Sequence, residues 1–127
     1  MPSDQIHAQK VDVFAPCALG GGLNSATIPH IQAPLVCGLA NNQLHEERHG
    51  AALHAARITW VPDYVANGGG ITAAGALIYS SPTAAETAER IDQLFGTVTG
   101  ILEQAEREGR PTSQIADEQA QARIANA

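Results

Sequence analysis

Three short apolar runs, Val11 to Phe14, Leu35 to Cys37 and Ile58 to Val61, stand between Pro and Gly residues in the first half of the chain. Their length and their turn-forming borders predict strands. Between the first two, Asn24 to Ile31 has room only for a short helix, with Pro29 suited to its first turn because it lacks an N–H. Between the second and third, Glu46 to Arg57 carries Ala51, Ala52, Leu53, Ala55 and Ala56 in a helix-favouring composition. Strand, crossover, strand, crossover, strand at this spacing implies parallel pairing with right-handed connections.

After Gly70 the periodicity becomes helical and stays so. Ser81 with Pro82, or Thr83 with Glu86, supplies a helix start. Ile91, Leu94, Phe95, Val98, Ile101, Leu102 and Ala105 keep one apolar stripe until Gly109 and Pro111 stop it. Roughly 25 residues at 1.5 Å each span about 37 Å, more than the cover of a half-sheet requires, so this helix is expected to pack on something outside the chain. Thr112 begins a last helix with Ile115 and Ile124 as its large apolar positions and an Ala/Gln/Glu-rich face for solvent.

Composition narrows the classes. With 127 residues, 44% hydrophobic and 16% charged, the chain is one ordinary domain at most and has enough apolar surface for a core. A net charge of -6 with seven scattered Lys and Arg argues against a nucleic acid or an anionic membrane as partner. No apolar run reaches the length of a membrane span and the N-terminal residues lack signal-peptide character, so the expected compartment is the cytoplasm. Cys17 and Cys37 are too few for a disulfide framework and are read as reduced, small buried side chains without catalytic role.

Three stretches put small, Pro or Asn residues straight after an apolar run: Asp12 to Gly21, Ala40 to Leu44 and Pro62 to Gly69. There a strand of an open α/β sheet delivers its backbone to a ligand. The turn through Pro16, Cys17 and Ala18 has little side-chain bulk, which allows close approach to a flat ligand and serves a plain tight turn equally well. Asn41 and Asn42 carry amides that can bind a carboxamide or carboxylate, though adjacent Asn residues more often form turns. Ile71 and Ala74 share a face of the following helix, which core packing alone would explain.

In this order and spacing the three stretches resemble the last part of an amino acid dehydrogenase of the glutamate/leucine/phenylalanine/valine family, with its leucine-like branch the nearest. The resemblance covers nearly the whole chain and implies a piece of an enzyme. It implies an α/β fold: residues 1–79 as the second half of a Rossmann-type NAD-binding domain, about three parallel strands with flanking helices. Residues 80–127 would follow as long C-terminal helices packing on the sheet and on an N-terminal domain outside the chain. It also implies NAD as cofactor, an amino acid as substrate and a homo-oligomer in the full-length enzyme. By the same resemblance Pro16, Cys17 and Ala18 lie against the nicotinamide ribose, Cys17 through its backbone. Asn41 lies by the nicotinamide and the substrate carboxylate, and Asn67 near the nicotinamide. Ile71 and Ala74 line the substrate side-chain pocket, where uncharged residues favour an apolar amino acid over glutamate. Gly68 departs from the family's usual Asn-Ala-Gly-Gly and is expected to loosen the backbone there.

His45 to His49 reads H-E-x-x-H, a zinc-hydrolase pattern when both His share a helix face, and His54 could add a third imidazole. Its Arg48-His49-Gly50 matches family sequence that binds no metal, and a solvated first helix turn suffices. The Gly-x-Gly-x-x-Gly turn that holds a dinucleotide pyrophosphate is completed neither at Gly20 to Gly22 nor at Gly68 to Gly70. Lys10 is the single lysine, whereas deamination calls for a tuned base and a positive charge. The resemblance places the catalytic lysine and its aspartate in the N-terminal domain, so no catalytic residue and no metal ligand is assigned. The polypeptide alone is expected not to turn over. The alternative is a non-catalytic remnant or assembly module, pairing through its first strand edge and long helix.

Overall fold

The computed structural model describes residues 2–79 and 83–126. A 3₁₀ segment, Ser3–Ala8, leads into β1 (Val13–Phe14), and a 3₁₀ turn, Ile28–His30, into β2 (Leu35–Val36). Helix α1 (Arg48–Ala55) leads to β3 (Thr59–Trp60), followed by α2 (Asp63–Ala66), α3 (Gly68–Tyr79), α4 (Ala84–Glu108) and α5 (Thr112–Ala125). The strands are parallel in the order β1-β2-β3, with Val13 opposite Leu35 and Leu35 opposite Thr59. Main-chain pairing runs slightly beyond them, Cys37 N–H donating to the Phe14 carbonyl at 3.1 Å and Val61 N–H to the Val36 carbonyl at 3.0 Å, while Pro16, Pro34 and Pro62 add no donor at the borders. Pro29 takes the first turn of the 3₁₀ segment, as its missing donor predicts.

Leu23, Ile28, Ile31, Val36, Leu53, Ile58 and Trp60 form the main core, with Phe14, Leu44 and Ala52 against it. A second cluster joins Ile101 and Ala105 of α4 to Ile115 and Ala116 of α5, with Val65 packed on it. Helix α5 is seated on the sheet by Thr112, whose hydroxyl donates to the Trp60 carbonyl. Space at Gly50 of α1 also matters, since a Cβ there would lie 2.8 Å from Ser113 Oγ. Tyr64 donates to Asp117 Oδ1 at 2.7 Å. Burial, and then that carboxylate, push the Tyr64 phenol above its ordinary value.

Helix α4 starts at a capping box: Thr83 Oγ1 accepts from Glu86 N–H at 3.2 Å and Glu86 Oε2 accepts from Thr83 N–H at 2.8 Å. The Ser81-Pro82 start lies outside the described residues. Gly109, in the left-handed conformation at φ 63°, ends the helix, and Arg110 pairs with Glu108 and Glu118 around it. The apolar stripe of α4 is only partly covered: Ile101 is buried and Phe95 is 80% exposed. On α5 the expectation for Ile115 holds, while Ile124 is 78% exposed and takes no part in the core.

The Glu86 carboxyl is held below the usual carboxylate range chiefly by the Thr83 N–H. A folded value below the unfolded one means that this stabilisation is complete above the usual range and is lost as pH falls through the lowered value. Helical circular dichroism should therefore weaken on acidification through that range, and Glu86→Gln should flatten the change. Thr83→Ala should cost about 1 kcal/mol in chemical unfolding. Gly96 faces open space within α4, so Gly96→Ala should stabilise the chain by roughly 0.5–1 kcal/mol in the same experiment.

Candidate functional site at the strand ends

Beyond β1 and β2 the backbone keeps pairing without regular strands. The Pro16 carbonyl accepts from Ala40 N–H at 2.9 Å, Gly21 N–H donates to the Asn42 carbonyl at 2.7 Å, and Leu23 N–H donates to the Gln43 carbonyl at 2.9 Å. These bonds need close approach. A Cβ on Gly38 would lie 2.2 Å from the Pro16 oxygen, and one on Gly20 would lie 2.6 Å from the Asn41 oxygen. Only glycine lets the second strand end pass this near the first turn. Pro16 is half-buried, whereas Cys17 and Ala18 are exposed. The expectation of a buried Cys17 is thus corrected, because the turn lifts its side chain out of the core. Cys17 Sγ accepts from Leu39 N–H at 3.5 Å, and both cysteines are free thiols. Cys37 is half-buried, and burial, with Cys17 adding to it, pushes its thiol up.

The third strand end joins the second through one amide. Asn67 Nδ2 donates to Asn41 Oδ1 at 2.8 Å and to the Leu39 carbonyl at 3.2 Å. The Leu39 main chain thus meets Cys17 on one side and Asn67 on the other, which brings Pro16, Cys17, Ala18, Asn41 and Asn67 to one side of the sheet. Among the described residues Asn41 Nδ2 and Asn67 Oδ1 have no protein partner, so one donor and one acceptor remain at the surface. Ile71 and Ala74 fall near the start of α3, and both are exposed, Ile71 at 75%. Core packing is therefore not their role within this chain. Gly68 does not loosen the chain either: it opens α3, and a Cβ there would lie 3.1 Å from Leu94 Cδ2. It allows α3 to approach α4.

Three residues of the site escaped sequence reasoning. Gly38 is one, for the close approach just described. Gln43 is 1% exposed, and its Nε2 donates to the Gly38 carbonyl at 2.8 Å while its Oε1 accepts from Trp60 Nε1 at 3.0 Å. Asp63, buried at the first position of α2, accepts from Asn42 N–H at 2.8 Å and so holds Asn42 in its left-handed conformation, φ 54°. Gln43 and Asp63 stand inside the stretches that drew attention, but their partners lie on other segments. A buried carboxamide two residues after Asn41 was the only available signal.

The H-E-x-x-H string is not a metal pair. Helix α1 begins at Arg48, so His45 precedes it and the two imidazoles do not share a helix face. His49, 2% exposed, accepts from Glu46 N–H at 3.0 Å through Nδ1, which leaves Nε2 as the protonated nitrogen, 3.0 Å from Ser25 Oγ. Both ring nitrogens are thereby committed. The solvated-turn expectation is also corrected at His49, a buried tie between the β1 and β2 loops. Glu46 does face solvent, and its bond with Arg48 holds its carboxyl below the usual range. Among the described residues no group of three His, Cys, Asp or Glu is placed to hold a metal ion. A cleft of about 880 Å³ lies elsewhere, between α1 with β3 and the junction of α4 with α5, lined by Leu53, His54, Arg57, Trp60, Leu102 and Arg110.

A parallel sheet with helical crossovers, gathering Gly- and Asn-rich turns at its carboxyl ends, defines a Rossmann-type α/β protein. The chain belongs to the Glutamate/Leucine/Phenylalanine/Valine dehydrogenase family, whose sequence model matches residues 1–127. It is 38% identical over 121 residues to leucine dehydrogenase from Bacillus subtilis (strain 168), covering 95% of this chain and 33% of that protein. The crystal structure of L-tryptophan dehydrogenase from Nostoc punctiforme superimposes with a TM-score of 0.91 at 38% identity, over 98% of this chain and 37% of that one. The hetero-hexameric glutamate dehydrogenase from Thermus thermophilus, at 24% identity and a TM-score of 0.68 over 89% of this chain and 28% of that one, shares the fold. The chain thus spans about a third of the length of the relatives it matches.

Two outcomes follow from this geometry. Gly38→Ala should cost about 3 kcal/mol in denaturant unfolding, since the intruding Cβ meets backbone and not a flexible side chain. His49→Ala should cost about 1–3 kcal/mol by leaving Glu46 N–H without its acceptor, while added zinc should leave the unfolding midpoint of the unaltered chain in place.

Proposed function

We propose that this chain supplies the strand-end part of the cofactor and substrate site of an NAD-dependent amino acid dehydrogenase. The reaction is reversible oxidative deamination: an apolar L-amino acid, NAD⁺ and water give a 2-oxo acid, ammonium, NADH and a proton. The observation that carries this reading is the convergence of three separate turns on the Leu39 main chain, with the Asn41 and Asn67 amides paired at 2.8 Å at the surface. Curated relatives named leucine, phenylalanine and L-tryptophan dehydrogenases support an apolar substrate.

The residues present fit a nicotinamide nucleotide. Glycine at positions 20 and 38 keeps the turn at Pro16, Cys17 and Ala18 low and narrow, so that its main chain can lie along a ribose. Asn41 Nδ2 can donate to a carboxamide or carboxylate oxygen and Asn67 Oδ1 can accept from a carboxamide NH₂. The nucleotide, when bound, supplies the hydride acceptor. Asn41 and Asn67 orient, and Ile71 and Ala74 present apolar surface to the substrate side chain. Residues 1–79 act as half of the nucleotide-binding domain, and residues 80–127 as helices joining it to the remainder of a larger, homo-oligomeric, cytoplasmic enzyme. With Lys10 as its single lysine, the chain alone does not turn over in this reading. A second reading, an assembly module, draws on the exposed Val11 and Val13 at the β1 edge and on Phe95.

NADH fluorescence titration of the chain, alone and after mixing with the separately expressed N-terminal part of a related leucine dehydrogenase, separates the two. Binding and leucine-dependent NAD⁺ reduction on mixing are expected, with Asn41→Ala weakening NADH by about tenfold, the loss of roughly one hydrogen bond to a ligand. A folded chain that binds no NADH in either case would leave the assembly module as the better reading.

A further inference from the structure

The loop that carries Asn41 also carries a buried residue, Gln43, 1% exposed. Asn67 has two acceptors, Asn41 Oδ1 and the Leu39 carbonyl, and both belong to the short loop from Gly38 to Gln43. Gln43 closes that loop on itself, its Nε2 donating to the Gly38 carbonyl at 2.8 Å. Its Oε1 fastens the closed loop to β3 through Trp60 Nε1 at 3.0 Å, and its carbonyl fastens it to the β1 turn through Leu23 N–H at 2.9 Å. One residue therefore reaches all three strand ends. A carboxamide of this length donates and accepts at once across that gap, and an apolar residue would serve the core at Gln43 equally well if packing were the sole requirement.

We propose that Gln43 is a positioning residue: its buried carboxamide sets the Leu39 carbonyl and Asn41 Oδ1 at the spacing that captures Asn67, and so aims the paired amides at the ligand. Its consequence for ligands rests on the function proposed above, whereas the clamp itself can be tested without any ligand.

The measurement is hydrogen exchange of the Asn67 side-chain NH₂, followed by NMR in the whole chain. Gln43→Leu leaves the Trp60 N–H and the Gly38 carbonyl unpaired; Gln43→Leu with Trp60→Phe removes the indole donor as well, so part of the lost stability should return, less what the still unpaired carbonyl and the smaller ring cost. Asn67 exchange is expected to accelerate about tenfold in both variants, corresponding to loss of one modest hydrogen bond, even though the double variant is the more stable of the two. Protection that returns together with stability would overturn the proposal, because Gln43 would then matter only for the core. So would unchanged exchange in a folded Gln43→Leu chain, or a double variant that does not fold, which would make the clamp a condition of the fold. The NADH titration of Asn41→Ala reports on the ligand reading separately, so either can fail without the other.

Discussion

Two residues of ladder per strand cannot hold a sheet together, and the prolines at the strand borders add no donors to it. Main-chain groups around the strand ends that the neighbouring strand does not pair must find another partner, since a buried N–H or C=O without one costs about as much as a lost hydrogen bond. The chain meets this constraint with side chains that act as main-chain substitutes. Gln43 bonds the Gly38 carbonyl, Asp63 takes the Asn42 N–H, and Asn67 takes the Leu39 carbonyl. Among the described residues no buried side-chain nitrogen or oxygen lacks a partner. The elements that make the sheet end cohesive are thus the same ones that arrange two amides at its surface.

Helices α4 and α5 contribute differently. Their contacts with α1 and the sheet run through small groups, Gly50 of α1 beneath Ser113 and the Thr112 hydroxyl on the Trp60 carbonyl, and their own cluster is modest. The ion pairs of Arg110 are at the surface, where such pairs add little to stability. Much of the apolar surface on this side stays uncovered, Ile71, Ile78 and Phe95 among it. A chain about a third as long as its relatives leaves such surface available for contacts beyond itself.

The order of elements was legible because it depends on local signals: apolar runs bounded by proline, an alanine-rich crossover, and a Thr-to-Glu capping box. The strand-end turns were legible for the same reason, since proline, glycine and asparagine mark them one by one. What stayed hidden was non-local. Nothing near Gln43 announces Trp60, and nothing near Asp63 announces Asn42, because those partners meet only after the crossovers fold. His45 and His49 show the opposite failure. Their spacing suggested a shared helix face, but the helix starts between them, and His49 was claimed by a backbone N–H instead. Gly68 likewise reads as slack in the backbone from sequence, whereas in the fold its missing Cβ makes room for Leu94.

The two buried clusters differ in how far along the chain their members are drawn. Ile101, Ala105, Ile115 and Ala116 meet across the single turn at Gly109, whereas the sheet core gathers residues from Leu23 to Trp60 through two crossovers. Closing the shorter loop sacrifices less chain entropy, and nearby contacts form sooner than parallel pairings. The α4–α5 hairpin is thus the more local of the two units, and Thr112, at its second helix's first turn, is the group that ties it to the Trp60 carbonyl of the non-local one.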